Sequence, residues 1–204
     1  GNSSLTLMYQ LVSHGMTDGI CGGTPWQDVK DRKFLCPVPG YDRHFAITEH
    51  FGFELIPIRM REDGPDMDEV EDGIKDPRVK GIWCVPKYQN PTGIVFSDAV
   101  VRRFARLKPA AADFRIFWDN AYCVHCFDGA CAEIPDIIEE CEKAGKADLV
   151  YAFCSTSKVT FPGSGISAVA ASPANLIDIR SFMQLATIGP DKLNQLRLAR
   201  FFKG

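Results

Sequence analysis

LVYAFCSTSKVTFPGSG, residues 149–165, is the stretch on which the reading of the fold turns. Its first six residues are apolar without a break. A strand with one wet face alternates polar and apolar residues, whereas a strand apolar throughout is covered on both faces. The run ends on small hydroxyl residues, a lysine (Lys158) and a turn rich in Pro and Gly. An ammonium group at the end of a core strand needs a reason, and the rest of the chain supplies its setting.

Strands of the same kind recur. VKGIWCVP (79–86) and FRIFWDNAY (114–122) are apolar runs, and KFLCPV (33–38), FELIPI (53–58) and ISAVAAS (166–172) are shorter ones. Helical periods lie between them. Residues 3–14 place Leu5, Met8, Leu11 and Val12 on one face. YDRHFAITEHFG (41–52) closes on Gly52, Asp66 caps a helix ending near Lys75, and Ser97 caps residues 97–108. A further helix over 134–145 ends on a glycine, and two more, about 173–186 and 190–203, finish the chain. Helices between buried strands imply right-handed parallel crossovers, so the fold class is α/β, a single layered domain. No internal repeat, low-complexity segment or linker interrupts it.

The 204 residues are 46% hydrophobic and 24% charged, a globular composition able to bury a sizeable core. Net charge is −3, from 23 basic and 26 acidic residues, and no Lys/Arg block is present. That balance offers no field for nucleic acid or an anionic membrane. No apolar run reaches membrane-spanning length, and no signal-peptide pattern is visible. Of the eight cysteines several lie inside apolar runs (IWCVP, YAFCS), where a thiol acts as a small hydrophobe. They are read as reduced thiols of a cytoplasmic protein. The tightest group is CVHCFDGAC, residues 123–131. A metal would use Cys123, His125, Cys126 and Cys131, and redox chemistry the Cys-x-x-Cys. The spacing has no second distant pair, so these are read as ordinary thiols.

Open α/β sheets bind ligands at the carboxyl ends of their strands. The polar residues at those ends are Asn90 after the first long strand, Asp119 and Tyr122 after the next, and Ser155, Ser157 and Lys158 after the last. Asn2, Ser3 and Ser4 open the first helix. Each has an ordinary reading alone. GNSS is a helix cap, Asn-Pro is turn chemistry, Asp119 caps a turn, Tyr122 is a core aromatic, and Lys158 is a strand-end lysine reaching water.

Taken in order, the set is specific. NPTG (90–93), DNAY (119–122) and STSK (155–158), each after a successive strand, resemble the pyridoxal-phosphate-dependent aminotransferases of fold type I. GNSSL is similar to that family's phosphate-binding helix start. STSKVTFPGSG, PVPGYD and TIGPDKLNQLR look most like the alanine/aspartate aminotransferase branch related to MocR-type proteins. The resemblance covers nearly the whole chain. It implies a three-layer large domain, residues 1–204, with a mostly parallel sheet and helices on both faces. The small substrate-clamping domain and the segment before the phosphate loop have no counterpart in it.

The resemblance also implies the roles. Lys158 forms an imine with pyridoxal 5'-phosphate; substrate amine displaces it, and the freed amine, its pKa lowered by desolvation, moves the Cα proton. Asp119 pairs with the pyridinium N–H. Asn90 and Tyr122 hydrogen-bond the phenolic oxygen. Asn2, Ser3, Ser4 and Ser155 hold the phosphate, with Ser157 assisting. Many relatives carry an arginine seven or eight residues after the lysine; here those positions are Gly165 and Ile166. Relatives also stack an aromatic ring three residues before the tyrosine that here is Tyr41, which gives Val38 as an aliphatic cofactor contact.

The implied reaction is transamination between a small amino acid, aspartate first and alanine next, and a 2-oxo acid such as 2-oxoglutarate, in a homodimer. The alternatives are a ligand-sensing domain of a MocR-type transcription regulator, which a fused winged-helix domain upstream would favour, and a pyridoxal-phosphate lyase.

Overall fold

The alternating apolar runs and helical periods become one seven-stranded sheet between two helical layers. A computed structural model describes residues 1–127, 129 and 131–203. The strands are β1 (Lys33–Val38), β2 (Glu54–Arg61), β3 (Gly64–Pro65), β4 (Val79–Cys84), β5 (Arg115–Asp119), β6 (Val150–Ser155) and β7 (Ser167–Ala170). The helices are α1 (Ser4–Thr17), α2 (Asp42–His50), α3 (Met67–Gly73), α4 (Asp98–Ala105), α5 (Ile137–Lys143), α6 (Pro173–Ala186) and α7 (Lys192–Phe201). Ser3, Asp66 and Ser97 each accept a hydrogen bond from a first-turn N–H, so three helix starts rest on side-chain caps.

Spatial order is β3-β2-β1-β4-β5-β6-β7. The five strands from β2 to β6 are parallel. Both edges depart from the expected parallel pattern: β3 runs antiparallel on β2, and β7 antiparallel on β6. The reason at β7 is the connection, because residues 156–166 contain no helix and are too short for a parallel crossover. The two residues of β3 carry no periodicity of their own and went unseen in the sequence.

Strand side chains alternate between the two cores. Phe34, Cys36, Trp83, Phe117, Tyr151 and Phe153 pack with α1, α2 and α6. Leu35, Ile82, Cys84, Ile116, Trp118 and Val150 pack with α3, α4 and α5. Gly81 lies where a Cβ would stand 2.5 Å from the Phe34 ring, so the strand interior has no room for a side chain there. Asp119 shares the parity of Phe117 and therefore faces the layer of α1 and α2.

At the opposite, amino-terminal ends of the strands, buried Lys80 donates to Asp113 Oδ1 at 2.8 Å and buried Trp26 donates to Asp113 Oδ2 at 2.8 Å. Removing the carboxylate leaves a buried ammonium and an indole N–H without their acceptor. Asp113→Ala is expected to cost about 3–5 kcal/mol of stability. Chemical denaturation checks this through the transition midpoint; a cost below about 1 kcal/mol, the level of a surface pair, would contradict it.

The thiols need one correction. Cys126 and Cys131, read as free thiols from the sequence, are joined in a disulfide with their Cα atoms 4.3 Å apart. Cys36, Cys84 and Cys141 are buried free thiols, and burial pushes Cys36 and Cys141 each up to about 12. Among the described residues no helix is long and apolar enough to cross a membrane.

Candidate active site

Because β1, β4, β5 and β6 are parallel, the loops that leave them meet at one edge of the sheet. The start of α1 joins them there. Between these loops lies a cavity of ≈ 210 Å³. Of the residues singled out in the sequence, Ser3, Ser4, Asn90, Asp119, Tyr122, Ser155, Ser157 and Lys158 line it, together with Leu5, Tyr41, Val85 and Ala121.

Asp119 ends β5 and is 5% exposed. Its Oδ2 accepts a hydrogen bond from His44 Nε2 at 3.1 Å. Its Oδ1 is buried and has no hydrogen-bond partner among the described residues. Buried polar atoms are almost always satisfied, so an orphaned carboxylate oxygen on a cavity wall marks a place for a donor. His44, only 1% exposed, is held as firmly as the carboxylate it serves. It stacks on Trp83 with centroids 4.7 Å apart and meets the edge of Tyr41 at 5.1 Å. Trp83 Nε1 in turn donates to Thr48 Oγ1 at 3.3 Å. The sequence reading missed His44; its signal was the buried face of α2, where His44, Ile47 and Thr48 recur at helical spacing.

The lysine lies in a tight loop. Thr156 N–H donates to the Ile166 carbonyl at 2.9 Å, and Ile166 N–H donates to Thr156 Oγ1 at 2.9 Å, closing residues 156–166. Asn194 of α7 donates through Nδ2 to the carbonyls of Ser164 at 2.9 Å and Gly165 at 3.0 Å, which pins the far side. A Cβ on Gly165 would stand 2.8 Å from Ser157 Oγ, so a side chain at this position requires the loop around Ser157 to shift. Ser157 Oγ is itself buried and unpartnered among the described residues. Lys158 Nζ lies 5.8 Å from the centre of the Tyr122 ring. Lys158 is exposed, so these residues alone do not supply the desolvation expected around it.

Ser3 caps α1, its Oγ accepting from Thr6 N–H at 3.2 Å. The first-turn N–H groups of Ser4 and Leu5, both on the cavity wall, lie ahead of the first helical hydrogen bond, from Leu7 N–H to the Ser3 carbonyl. Gln89, buried in the loop after β4, donates through Nε2 to the Pro39 carbonyl at 2.9 Å, tying the Asn90 loop to the one that carries Tyr41.

Two expected residues lie elsewhere. Asn2 lines a neighbouring depression with Arg180, Gln184 and Asp191. Residue 1 pairs through its backbone with Ser167, and the chain turns toward the cavity only at Ser3. Val38 ends β1, 37% exposed, and is not on the cavity wall. The chain reaches the cavity three residues later, at Tyr41, the cap of α2. The aromatic ring on this part of the wall is therefore that of Tyr41 itself.

Residues 1–204 match the family described as aspartate amino-transferase. The aspartate aminotransferase of Corynebacterium glutamicum is 45% identical over 204 residues, covering 98% of this chain and 46% of that protein. The crystal structure of an aspartate transaminase from the same organism superposes with a TM-score of 0.96 at 45% identity, over 99% of this chain and 48% of that one. An α-aminoadipate aminotransferase of Thermus thermophilus, solved with N-(5'-phosphopyridoxyl)-L-leucine, shares the fold at a TM-score of 0.78 and 22% identity, over 98% of this chain and 48% of that one. The chain spans about half the length of the curated relatives it matches.

Proposed function

The chain belongs to the aspartate aminotransferase family, and from that membership we propose that residues 1–204 form the pyridoxal 5'-phosphate-binding large domain of a homodimeric aminotransferase. Its substrates are a small amino acid, aspartate first and alanine second, and a 2-oxo acid such as 2-oxoglutarate.

The observation that carries this reading is the divided carboxylate of Asp119. One oxygen is held by His44, and the other is buried without a partner among the described residues, on the wall that also bears Lys158. A pyridinium N–H is a donor suited to that oxygen. The second orphan, Ser157 Oγ, lies with Ser155, Ser3 and Ser4 beside the start of α1. Hydroxyls and free helix N–H groups together suit a phosphate. The residues present therefore fit the cofactor at both ends.

When bound, pyridoxal phosphate supplies an aldehyde that captures amines and a cationic ring that stabilises negative charge on the substrate Cα. The chain's own residues do the rest. Asp119 would hold the proton of the ring nitrogen, and His44 donates to its other oxygen and fixes the carboxylate in place. Tyr122 and Asn90 would hold the phenolic oxygen by hydrogen bonds. Tyr41 and Val85 form apolar wall and exclude water. Lys158 Nζ would hold the cofactor through its aldehyde carbon, the carbonyl oxygen leaving as water, and once freed would carry the proton to and from the substrate Cα as general base.

An amino-donor screen of the full-length protein with 2-oxoglutarate tests this. Aspartate is expected to give the fastest glutamate formation, followed by alanine. Ammonia release without glutamate formation would replace transfer by elimination and overturn the proposal.

A further inference from the structure

The loop after β4 sends two buried side chains in opposite directions. Gln89 reaches the loop after β1, as described above. Lys87 reaches the loop after β5: its Nζ donates to the carbonyl of Cys123 at 3.1 Å and lies 5.5 Å from the centre of the Tyr88 ring. Lys87 is 6% exposed and is not on the cavity wall. β4 lies between β1 and β5 in the sheet, so the Asn90 loop is stapled to both neighbours.

Burying an ammonium group is expensive unless its donors are engaged. A leucine or methionine would fill the same space without that cost. The carbonyl that Lys87 holds belongs to the residue immediately after Tyr122. Among the described residues the segment 120–125 is anchored to β6 at its start, where Asn120 N–H donates to the Phe153 carbonyl at 2.9 Å, and beyond that makes turn hydrogen bonds, from Cys123 N–H to Asn120 and from His125 N–H to Tyr122. It lacks the regular ladder that fixes a strand or helix. The Tyr122 ring meets the His125 ring edge-on, 5.3 Å away.

We propose that Lys87 is a positioning residue of the active site: by gripping the Cys123 carbonyl it fixes the phenol of Tyr122 where it donates to the cofactor. The inference rests on the reading of the cavity as a pyridoxal-phosphate site. A phenol donating to the cofactor's phenolic oxygen favours the deprotonated oxygen. Loss of that donor raises the pH midpoint of the cofactor's visible absorbance. A hydrogen bond to a charged oxygen corresponds to about 1–2 pH units.

The test is a double-mutant cycle on the full-length holoenzyme, read by that absorbance midpoint and by the thermal midpoint of the cofactor-free protein. Tyr122→Phe is expected to raise the absorbance midpoint by about 1–2 units. Lys87→Met is expected to raise it by a fraction of that. The double variant should shift no further than Tyr122→Phe, because residues acting through one contact are not additive. Lys87→Gln, which keeps an amide donor but no charge, should recover part of the Lys87→Met shift.

Additive shifts would mean that Lys87 acts through its own charge, and would overturn the inference. So would an unmoved absorbance midpoint in Lys87→Met. Failure of both Lys87 variants to fold would make Lys87 a structural residue only and remove it from the site. A full-length wild-type protein with no cofactor absorbance would overturn the cofactor reading itself, and this inference with it.

Discussion

Lys158→Ala is expected to abolish covalent attachment of the cofactor and to lower turnover by at least about four orders of magnitude. Two roles fall together in one amine: it attaches the cofactor, and it moves the proton at Cα. Proton transfer by a placed side chain alone is worth about 10²–10⁴-fold, and the loss of a nucleophile adds to it. The fold should survive the change. Lys158 is exposed, and its loop is closed by Thr156, Ile166 and Asn194 rather than by the lysine. Borohydride reduction of the loaded wild-type protein, followed by digestion and mass mapping, should place the adduct on Lys158. An adduct on any other lysine, or near-normal turnover in Lys158→Ala, would refute the assignment.

Asp119→Asn should keep the shape of the site and still bind cofactor, while proton abstraction slows by about 10²–10³-fold, the range for losing one preorganised electrostatic contact. The amide oxygen can still accept from His44 Nε2. The other side of the group becomes an N–H donor where Oδ1 stood, so it no longer holds a proton on a ring nitrogen. Single-turnover kinetics separates this effect from binding. Turnover within a few-fold of wild type would remove Asp119 from its proposed role. A cofactor affinity reduced as much as the rate would make the carboxylate a binding group only.

The two variants probe residues of different legibility. Asp119 ends β5 and Lys158 lies in the loop just after β6, and each could be found by asking which polar residues stand at or just beyond the carboxyl ends of buried strands. Tyr41 and His44 could not be found that way, because they belong to the cap and buried face of a helix. Their meaning depends on what α2 packs against. The distance between His44 and Asp119, 75 residues along the chain, is closed only by the sheet. Asn194 is a similar case: a polar residue in a terminal helix acquires a role because α7 lies against the 156–166 loop.

What the sequence determined by itself was local and periodic. Apolar runs dictated buried strands, helical spacing and capping residues dictated the helices between them, and their alternation dictated a parallel α/β sheet. The order of NPTG, DNAY and STSK at successive strand ends identified the family. The tertiary structure alone decided the antiparallel edges, the Cys126–Cys131 pairing, the replacement of Val38 by Tyr41 on the cavity wall and the turning of Asn2 away from it. It alone placed His44 behind Asp119. The physical reason is range: a hydrogen-bonded turn or an apolar stripe is written in neighbouring residues, whereas the partner of a buried polar atom is chosen by packing among segments distant in the chain.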